Sequence, residues 1–296
     1  MKRLTWNSVR MLRQLAVAAV AALFVAGGCR PVLREPLPIC PGKESLGGAL
    51  SALRIRSEKL EPLRATGTCR LEYYTQENRK AHKEVFPVRL WVNPPAQMSL
   101  RGDVAFDPRG LVVGSNQDEF WLSLRPKKIS CYWWGRWSRN TYVEKLILSP
   151  RIVLEALGIA VGDGEGWSLS NKGPFDILTQ YGDAGVMIKR IYIHSCNYLV
   201  RKIEYFNEFG QVEVVAELDE YEEAEDGFSI PQSIKITKRG DGGRDDSAGI
   251  TLKSVKSTSF NEKQLELLFV RPSPGGFENV YEVVGGKWVE QPAVEK

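Results

Sequence analysis

The sequence lacks the residues and motifs on which most hydrolases and metalloenzymes depend. Its 296 residues include only two histidines, His82 and His194. There is no G-x-S-x-G, H-E-x-x-H or P-loop pattern. The acidic run between Glu217 and Asp226 does not have EF-hand spacing and is typical of a solvated strand face followed by a turn. The sequence therefore favours a protein that is not an enzyme and that needs no cofactor.

An excess of charge of one sign is also absent once the N-terminal segment is set aside. The full chain has 40 lysines and arginines against 36 acidic residues. Four of the basic residues lie in residues 1–28, which contain no acid, so the remainder balances at 36 against 36. A neutral chain lacks the positive field that nucleic-acid binding requires. We therefore expect no nucleic-acid partner.

No apolar run is long enough to cross a membrane as a stable helix. The longest, Leu15–Ala26, has twelve residues, which is ~18 Å of helix against ~30 Å of hydrocarbon. A basic segment precedes this run and small residues follow it, which is typical of a secretory signal peptide. We place that signal peptide at residues 1–28.

The residues at the end of this segment, Ala26-Gly27-Gly28-Cys29, resemble the bacterial lipobox. The resemblance implies that Cys29 becomes the acylated (palmitate-type) mature N-terminus and anchors the protein to a membrane. Arg30 is not the acidic residue that retains some lipoproteins at the inner membrane, so the periplasmic side of the outer membrane is the favoured location. The alternative is ordinary signal cleavage, with Cys29 as a free or bridged thiol.

Zinc-ribbon and C-x-x-C spacings are missing as well. The remaining cysteines are Cys40, Cys69, Cys131 and Cys196, an even number in an exported chain. They predict disulfides or buried thiols, and the sequence does not choose among the three possible pairings. A metal site that uses His194 and Cys196 is disfavoured because the chain offers few other ligands.

Composition divides the mature chain into a tether, a folded domain and a tail. Residues 29–43 are rich in proline and predict an extended tether between the lipid anchor and the domain. An amphipathic helix is predicted over 44–60, and a second helix follows Ser149 and Pro150 and ends at Gly158. Residues 271–296 predict a loosely attached C-terminal tail, in which Val280–Val284 could add a short strand.

Between Leu63 and Ser259 the apolar residues recur with period two, which is the period of strands with one apolar and one polar face. Short turns that contain Asn, Asp, Pro or Gly separate these segments. About ten strands are predicted, in an extended antiparallel meander. Pro87 predicts that its strand lies at an edge or forms a bulge.

Three stretches of the chain resemble the family of LolA/LolB-like lipoprotein carriers. Asn93–Leu124 is similar to that family's Pro turn, paired strands, short polar turn and aromatic-led strand. Ser149–Leu157 resembles its mid-chain helix, and Tyr198–Thr237 its C-terminal succession of strands with a Gly turn and a DG turn. The resemblance covers roughly residues 45–260, within a domain that we place at 44–270.

The resemblance implies a mainly β (α+β) fold, a curved antiparallel half-barrel sheet with a few covering helices. The concave side of such a sheet would hold the acyl chains of a lipoprotein or another lipid. Our candidates for its lining are eight apolar residues of one face: Val88, Leu90, Phe120, Leu122, Val214, Leu218, Ile234 and Ile236.

An aromatic cluster between Cys131 and Trp137 is the most unusual patch of the sequence. Trp133, Trp134 and Trp137 are candidates for a lid or for a membrane contact. They are equally typical of a strand that is covered on both faces, and the sequence leaves the two interpretations open.

Taken together, these features predict a lipid-anchored envelope lipoprotein that binds acyl chains and acts in lipoprotein or lipid trafficking. The alternative is a non-catalytic envelope scaffold or assembly lipoprotein with the same fold and no lipid cargo, because one fold hosts several functions. The sequence does not identify a protein partner in the envelope.

Overall fold

The computed structural model describes most of the chain after the N-terminal segment. The described residues are 36–75, 78–104, 107–125, 130–137, 147–159, 165–182, 185–223, 228–284 and 287–292. Within them the helices are α1 (Leu46–Glu58), α2 (Pro150–Ala156) and α3 (Glu262–Phe269). The strands are β1 (Leu63–Thr75), β2 (Asn78–Asn93), β3 (Gln97–Val104), β4 (Asp107–Ser115), β5 (Glu119–Leu124), β6 (Cys131–Arg136), β7 (Trp167–Lys172), β8 (Phe175–Tyr181), β9 (Met187–His194), β10 (Val200–Phe206), β11 (Val212–Glu223), β12 (Ser229–Lys238), β13 (Asp246–Ser257), β14 (Asn279–Val284) and β15 (Lys287–Gln291).

All of these strands belong to one curved, open sheet. Strands β1 to β6 form one antiparallel meander, strands β7 to β13 form a second, and the pairing of β1 with β13 joins the two. Strand β14 runs parallel to β6 and pairs with β15, so that β15 and β7 are the two edges. The predicted antiparallel half-barrel is confirmed. It has thirteen strands from β1 to β13, where the sequence predicts about ten.

Apolar residues recur at alternating positions along these strands, and together these residues form one continuous surface across the sheet. Leu218, Ile234, Ile250, Cys69 and Phe86 lie opposite one another in successive ladders of β11, β12, β13, β1 and β2. All five are buried. This surface, which we call the concave face, packs with α1 and α2 into the main apolar core. Intervening residues point to the opposite side, which we call the outer face, because strand side chains alternate.

Pro87 lies in a central strand and not at an edge of the sheet. Strand β2 pairs with β1 on one side, where Pro87 is opposite Thr68, and with β3 on the other. The β3 ladder ends at Val88, so β2 has no partner from β3 at Pro87. On the side towards β3, Pro87 is therefore at a local edge of the sheet. Its missing N–H removes no ladder hydrogen bond to β3.

Both predicted helices are confirmed, and Ser149 lies at the N-cap of α2 without a capping hydrogen bond from its side chain. Ser45 Oγ accepts a hydrogen bond of 3.1 Å from the N–H of Gly48 at the start of α1. Helix α2 follows Ser149 and begins with Pro150. Gly158 has φ +79°, a left-handed conformation in which glycine ends a helix without a Cβ clash.

The segment that forms α3 is not predicted as a helix from the sequence. Its signal is a capping box, in which Asn261 Oδ1 accepts from the N–H of Gln264 and the Gln264 side chain accepts from the N–H of Asn261, both at 3.0 Å. The buried residues Leu268 and Phe269 attach the helix to the sheet. Because Ala-poor helices this short are marginal alone, α3 depends on that packing.

The chain after α3 follows the outer face and then joins the sheet. Tyr132 Oη donates a hydrogen bond of 2.7 Å to the carbonyl of Pro272, and Arg271 Nε donates one of 2.8 Å to Glu119 Oε2. Val280, in β14, is buried. The short strand that the sequence allowed after residue 279 is therefore present. The described residues beyond 270 are held to the sheet by these contacts, where the sequence predicts a loosely attached tail.

Candidate functional site: the helix-covered concave face

All eight residues predicted to line a cavity lie on the concave face. Each is at most 3% exposed, and all belong to the core that includes α1 and α2. They are Val88 and Leu90 of β2, Phe120 and Leu122 of β5, Val214 and Leu218 of β11, and Ile234 and Ile236 of β12. In this state they pack against one another and against the helices, and other residues border the open space. Their contact with a ligand stays a prediction.

A small cavity lies on the concave face under α1 and α2. Its volume is about 30 Å³, room for on the order of two water molecules. Its apolar wall includes Leu53 of α1, Leu178 of β8 and Ile203 of β10, and its polar residues include Arg56 and Glu155. An acyl chain is far larger, so its entry requires α1 or α2 to move away from the sheet.

Helix α2 is attached to the sheet by a buried carboxylate. Glu155 is 5% exposed. Its Oε1 accepts a hydrogen bond of 3.0 Å from Lys189 Nζ, and its Oε2 accepts one of 2.6 Å from Tyr205 Oη. Burial by itself raises the pKa of Glu155, but the charges of Lys189 and Arg151 and the hydrogen bonds lower it, and the net pKa is below the ordinary value. Glu155 is therefore ionised at neutral pH.

Helix α1 is attached through an arginine in its last turn. Arg56 Nη2 donates a hydrogen bond of 2.7 Å to the carbonyl of Ser229 at the start of β12. Its guanidinium carbon lies 5.1 Å from the centre of the Phe228 ring. Burial lowers the pKa of Arg56, and the neighbouring Tyr221 raises it by less. The two helices that cover the concave face are thus each fixed by a charged side chain beside the cavity.

Comparison with known proteins gives no match by sequence and a clear match by structure. No family model and no curated protein matches the chain. A putative outer membrane lipoprotein-sorting protein domain from Vibrio parahaemolyticus superimposes with a TM-score of 0.52 at 12% identity, over 74% of this chain and 96% of that one. The chain has a LolA-like fold.

Two further structures are similar to this chain, and the first of them shares its fold. A DUF1329 family protein from Desulfovibrio piger has a TM-score of 0.51 at 10% identity, over 75% of this chain and 97% of that one. A LolA superfamily protein from Nitrosomonas europaea has a TM-score of 0.48 at 10% identity, with 72% and 96% covered. At 10–12% identity, the likeness to the Vibrio parahaemolyticus and Desulfovibrio piger proteins shows the fold and does not extend to ligands or partners.

The three tryptophans of the aromatic cluster do not share one face of the LolA-like sheet. Trp133 packs against the main core on the concave face. Trp134 lies on the outer face, where the Arg271 guanidinium is 3.9 Å from its ring centre. Trp137 Nε1 donates a hydrogen bond of 2.8 Å to the carbonyl of Asn116. Strand β6 is therefore covered on both faces, and a lid or membrane contact by these residues stays a prediction.

The last residues of the predicted tether contact the folded domain. Cys29 and the predicted signal peptide lie outside the described residues. Cys40 forms a disulfide with Cys196, with 5.0 Å between their Cα atoms. The N–H of Lys43 donates a hydrogen bond of 2.9 Å to Asp176 Oδ2. The last residues of the predicted tether are thus fixed to the turns at one end of β8 and β9.

Cys69 and Cys131 are the free thiols of the described residues. Cys69 lies on the concave face with no exposed surface, and burial raises its pKa to about 12. Cys131 is half-buried in β6. Within the described residues, no helix has both the length and the apolarity to cross a bilayer.

The outer face has a larger opening of different character. It has a volume of about 550 Å³ and lies between α3, strands β3 to β5 and the segment after α3. Trp121 is among its apolar residues, and Arg101, Lys263 and Arg271 are among its charged ones. The two faces therefore offer two alternatives, a closed apolar site under helices and an open cationic groove, which binding experiments must separate.

The polar residues Glu155 and Lys189 of the concave face are not among the predicted site residues, although the sequence carries a signal for each. Glu155 interrupts the apolar run Ile152–Leu157, so it faces the core from α2. Lys189 falls on the same phase of β9 as Ile191 and Ile193, which are buried. A charged residue at a position where the pattern predicts an apolar one is costly to bury unless it is paired. Here Glu155 and Lys189 are both buried and pair with each other.

Proposed function

We propose that this protein is a lipid-anchored envelope lipoprotein that binds acyl chains on its concave face and acts in lipoprotein or lipid trafficking. One observation carries the proposal: the concave face of this LolA-like sheet is a continuous apolar surface closed by two short helices. Such a surface can exchange its contacts with helices for contacts with hydrocarbon. The lipoprotein-sorting function named for the Vibrio parahaemolyticus domain is consistent with this proposal.

The energetics of this exchange suit a carrier. Each methylene buried from water contributes ~0.8 kcal/mol. Displacing α2 removes the buried contacts of Ile152, Val153 and Ala156 with the sheet, which offsets part of that gain. The net affinity is therefore moderate, and cargo can be released to a partner.

The binding test uses the full chain with Cys29→Ala, so that its own acyl chains are absent. A fluorescent fatty acid is titrated into this variant while circular dichroism verifies that the sheet is folded. Saturable binding is the expected result. If the folded variant does not bind the probe saturably, the carrier function is wrong and the scaffold alternative, an envelope lipoprotein without lipid cargo, takes its place.

The anchor is tested separately, because Cys29 acts at the membrane and not in the cavity. We propose that Cys29 carries the acyl anchor and that the protein faces the periplasm from the outer membrane. Cells that express the chain are fed radiolabelled palmitate, and we expect the label in the wild-type band only. Label that persists in Cys29→Ala would contradict acylation at this residue. Fractionation of the envelope then assigns the membrane.

A further inference from the structure

The concave face contains one buried positive charge. Of the lysines and arginines among the described residues, Lys189 alone is buried, with 8% of its surface exposed. It lies on β9 directly opposite Tyr205 of β10. Both side chains donate hydrogen bonds to Glu155, as described above, and Arg151 Nε lies 3.4 Å from the same carboxylate. The cluster therefore has two donors on the sheet, Lys189 and Tyr205, whereas the acceptor Glu155 and the partly exposed Arg151 belong to α2.

Stability alone does not explain this arrangement. Replacing a buried ion pair with apolar residues of similar volume is often neutral or stabilising, because burial removes both charges from water. The residues next to Lys189 and Tyr205 on the concave face, Ile191 and Ile203, are apolar and would accept such a replacement. The pair also makes the closed position of α2 depend on one carboxylate, since removing either partner leaves a buried charge unpaired.

A third donor, the indole N–H of Trp167, lies beside the pair. Trp167 of β7 is buried, and its ring centre is 5.2 Å from Lys189 Nζ. Within the described part of the chain, Trp167 Nε1 has no hydrogen-bond partner. Trp167 and Glu155 both line the cavity under α1 and α2. The sheet thus presents an ammonium, a phenol and an indole N–H at the edge of an apolar space, and a carboxylate from α2 satisfies two of them.

We propose that Glu155 occupies the head-group site of a long-chain carboxylate. When α2 leaves the sheet, Glu155 leaves with it, and the carboxylate of the ligand takes its place on Lys189, Tyr205 and Trp167 while the chain lies along the concave face. Glu155 is itself a carboxylate, so the observed contacts already display the chemistry of the ligand head. This inference rests on the proposed acyl binding and names the class of ligand that binds best.

Selectivity follows from what each ligand leaves unpaired. A fatty acid carboxylate replaces Glu155 charge for charge. An alcohol of the same chain length buries the same hydrocarbon but leaves the Lys189 ammonium without a counter-ion. A polar site rejects a ligand that cannot pair its buried groups. The protein should therefore prefer the anion.

The test compares dodecanoate with dodecan-1-ol as competitors of a fluorescent fatty acid on the full chain with Cys29→Ala. We expect dodecanoate to bind about tenfold or more tightly than the alcohol. Lys189→Met should abolish this preference, because dodecanoate loses its counter-ion and the alcohol does not. Lys202→Met is the matched control, because Lys202 lies on the adjacent strand and pairs with Glu204 and Tyr192 on the outer face. It should keep the wild-type preference.

Two further variants address the helix side of the site. Glu155→Gln weakens the closed position of α2, so both competitors should bind several-fold more tightly while the preference for dodecanoate remains. The double variant Glu155→Gln/Lys189→Met removes both charges and so leaves no unpaired ion that could prevent folding. It should bind both competitors with equal affinity.

The outcomes distinguish this inference from the function on which it rests. If neither competitor binds the folded wild-type site, acyl binding and the head-group site are both overturned. If both bind equally to wild type, acyl binding stands and the head-group site is overturned. A preference for dodecanoate that survives in the double variant also overturns it, because the anion is then recognised elsewhere.

Discussion

The guanidinium of Arg56 donates a 2.7 Å hydrogen bond to the carbonyl oxygen of Ser229 and thereby fastens the last turn of α1 to β12. The carbonyl belongs to the first residue of the strand, next to Phe228, over which the guanidinium lies. This contact and the Glu155 cluster of α2 hold the two helices over the same cavity. These contacts must break before an acyl chain can enter.

Replacing Arg56 with Met should loosen α1 while keeping its apolar contacts. A hydrogen bond from a charged donor contributes about 1.5–3 kcal/mol, so we expect the opening free energy of α1 to fall by about 1–2 kcal/mol. Hydrogen exchange of the α1 amides measures this change. Arg54→Met is the control, because Arg54 is exposed and only pairs with Glu58 at 3.9 Å. Equal exchange in the two variants would contradict the role of Arg56.

Enlarging the cavity should strengthen fatty-acid binding and lower the stability of the ligand-free protein. Leu178 has no exposed surface and lines the cavity, so Leu178→Ala should lower the free energy of unfolding by about 2–5 kcal/mol. The space it leaves accommodates about two methylenes at ~0.8 kcal/mol each, so a fatty acid should bind roughly tenfold more tightly. Denaturant unfolding and titration with the fluorescent fatty acid measure the two effects.

The matched control for that substitution is Leu268→Ala. Leu268 is a buried leucine of α3 that lines the groove of the outer face. Its loss should destabilise the protein without tightening the binding of fatty acid. A tighter complex with Leu268→Ala but not with Leu178→Ala would place the ligand on the outer face.

The sheet and the covering helices could be predicted from the sequence because their signals are local. Alternation in β11 and β12 identifies Leu218 and Ile234 as members of one face, and the ladder places them opposite each other. Pro150 and Gly158 mark the ends of α2 in the same direct way. Such patterns need no knowledge of distant contacts.

The cavity and the polar cluster could not be predicted in the same way, because they depend on how the helices lie on the sheet. Val88 and Leu90 share the apolar face but are covered by packing, whereas Leu178 borders open space. Glu155 and Lys189 are 34 residues apart and meet only in the folded protein. The disulfide pairing is also determined only by the tertiary structure, because the four cysteines allow three pairings that the sequence does not distinguish.

The disulfide between Cys40 and Cys196 should be a main support of the start of the domain. It links residues 156 positions apart, and the loss of a native disulfide typically costs 2–5 kcal/mol, so we expect about that decrease in Cys196→Ser. Cys131→Ser should have a smaller effect, because Cys131 is a half-buried free thiol. Unfolding curves measure the difference. Peptide mapping without reductant should show Cys40 joined to Cys196; any other pairing would contradict the structure.

The buried thiol of Cys69 should make stability fall at alkaline pH. Its folded pKa of about 12 lies above the ordinary value of 9.0, so the unfolded chain loses this proton first. The contribution of this protonated thiol to the free energy of unfolding is complete below about pH 8. It declines between about pH 9 and 12, by at most ~1.4 kcal/mol per pH unit. Cys69→Ala should flatten the early part of this decline in the free energy of unfolding. A decline as steep in Cys69→Ala as in wild type would show that other groups cause it.

Tyr205 should also lower the stability of the protein as the pH rises, at higher pH than Cys69. Burial raises its pKa well above the ordinary value, and the nearby Glu155 carboxylate raises it further. The decline in stability should therefore continue above pH 10 in Cys69→Ala. Tyr205→Phe should reduce this later part of the decline and removes the hydrogen bond to Glu155. Burial also raises the pKa of Tyr132 and Tyr221, so part of the decline should remain.

Photo-crosslinking tests most directly whether acyl chains bind on the concave face. The full chain with Cys29→Ala is saturated with a fatty acid that carries a diazirine along its chain, irradiated and mapped by mass spectrometry. We predict adducts on α2 and on the concave-face residues of β8 to β12, which an excess of unlabelled fatty acid removes. Adducts confined to α3, Val270–Phe277 and the outer face of β3 to β5 would contradict this account.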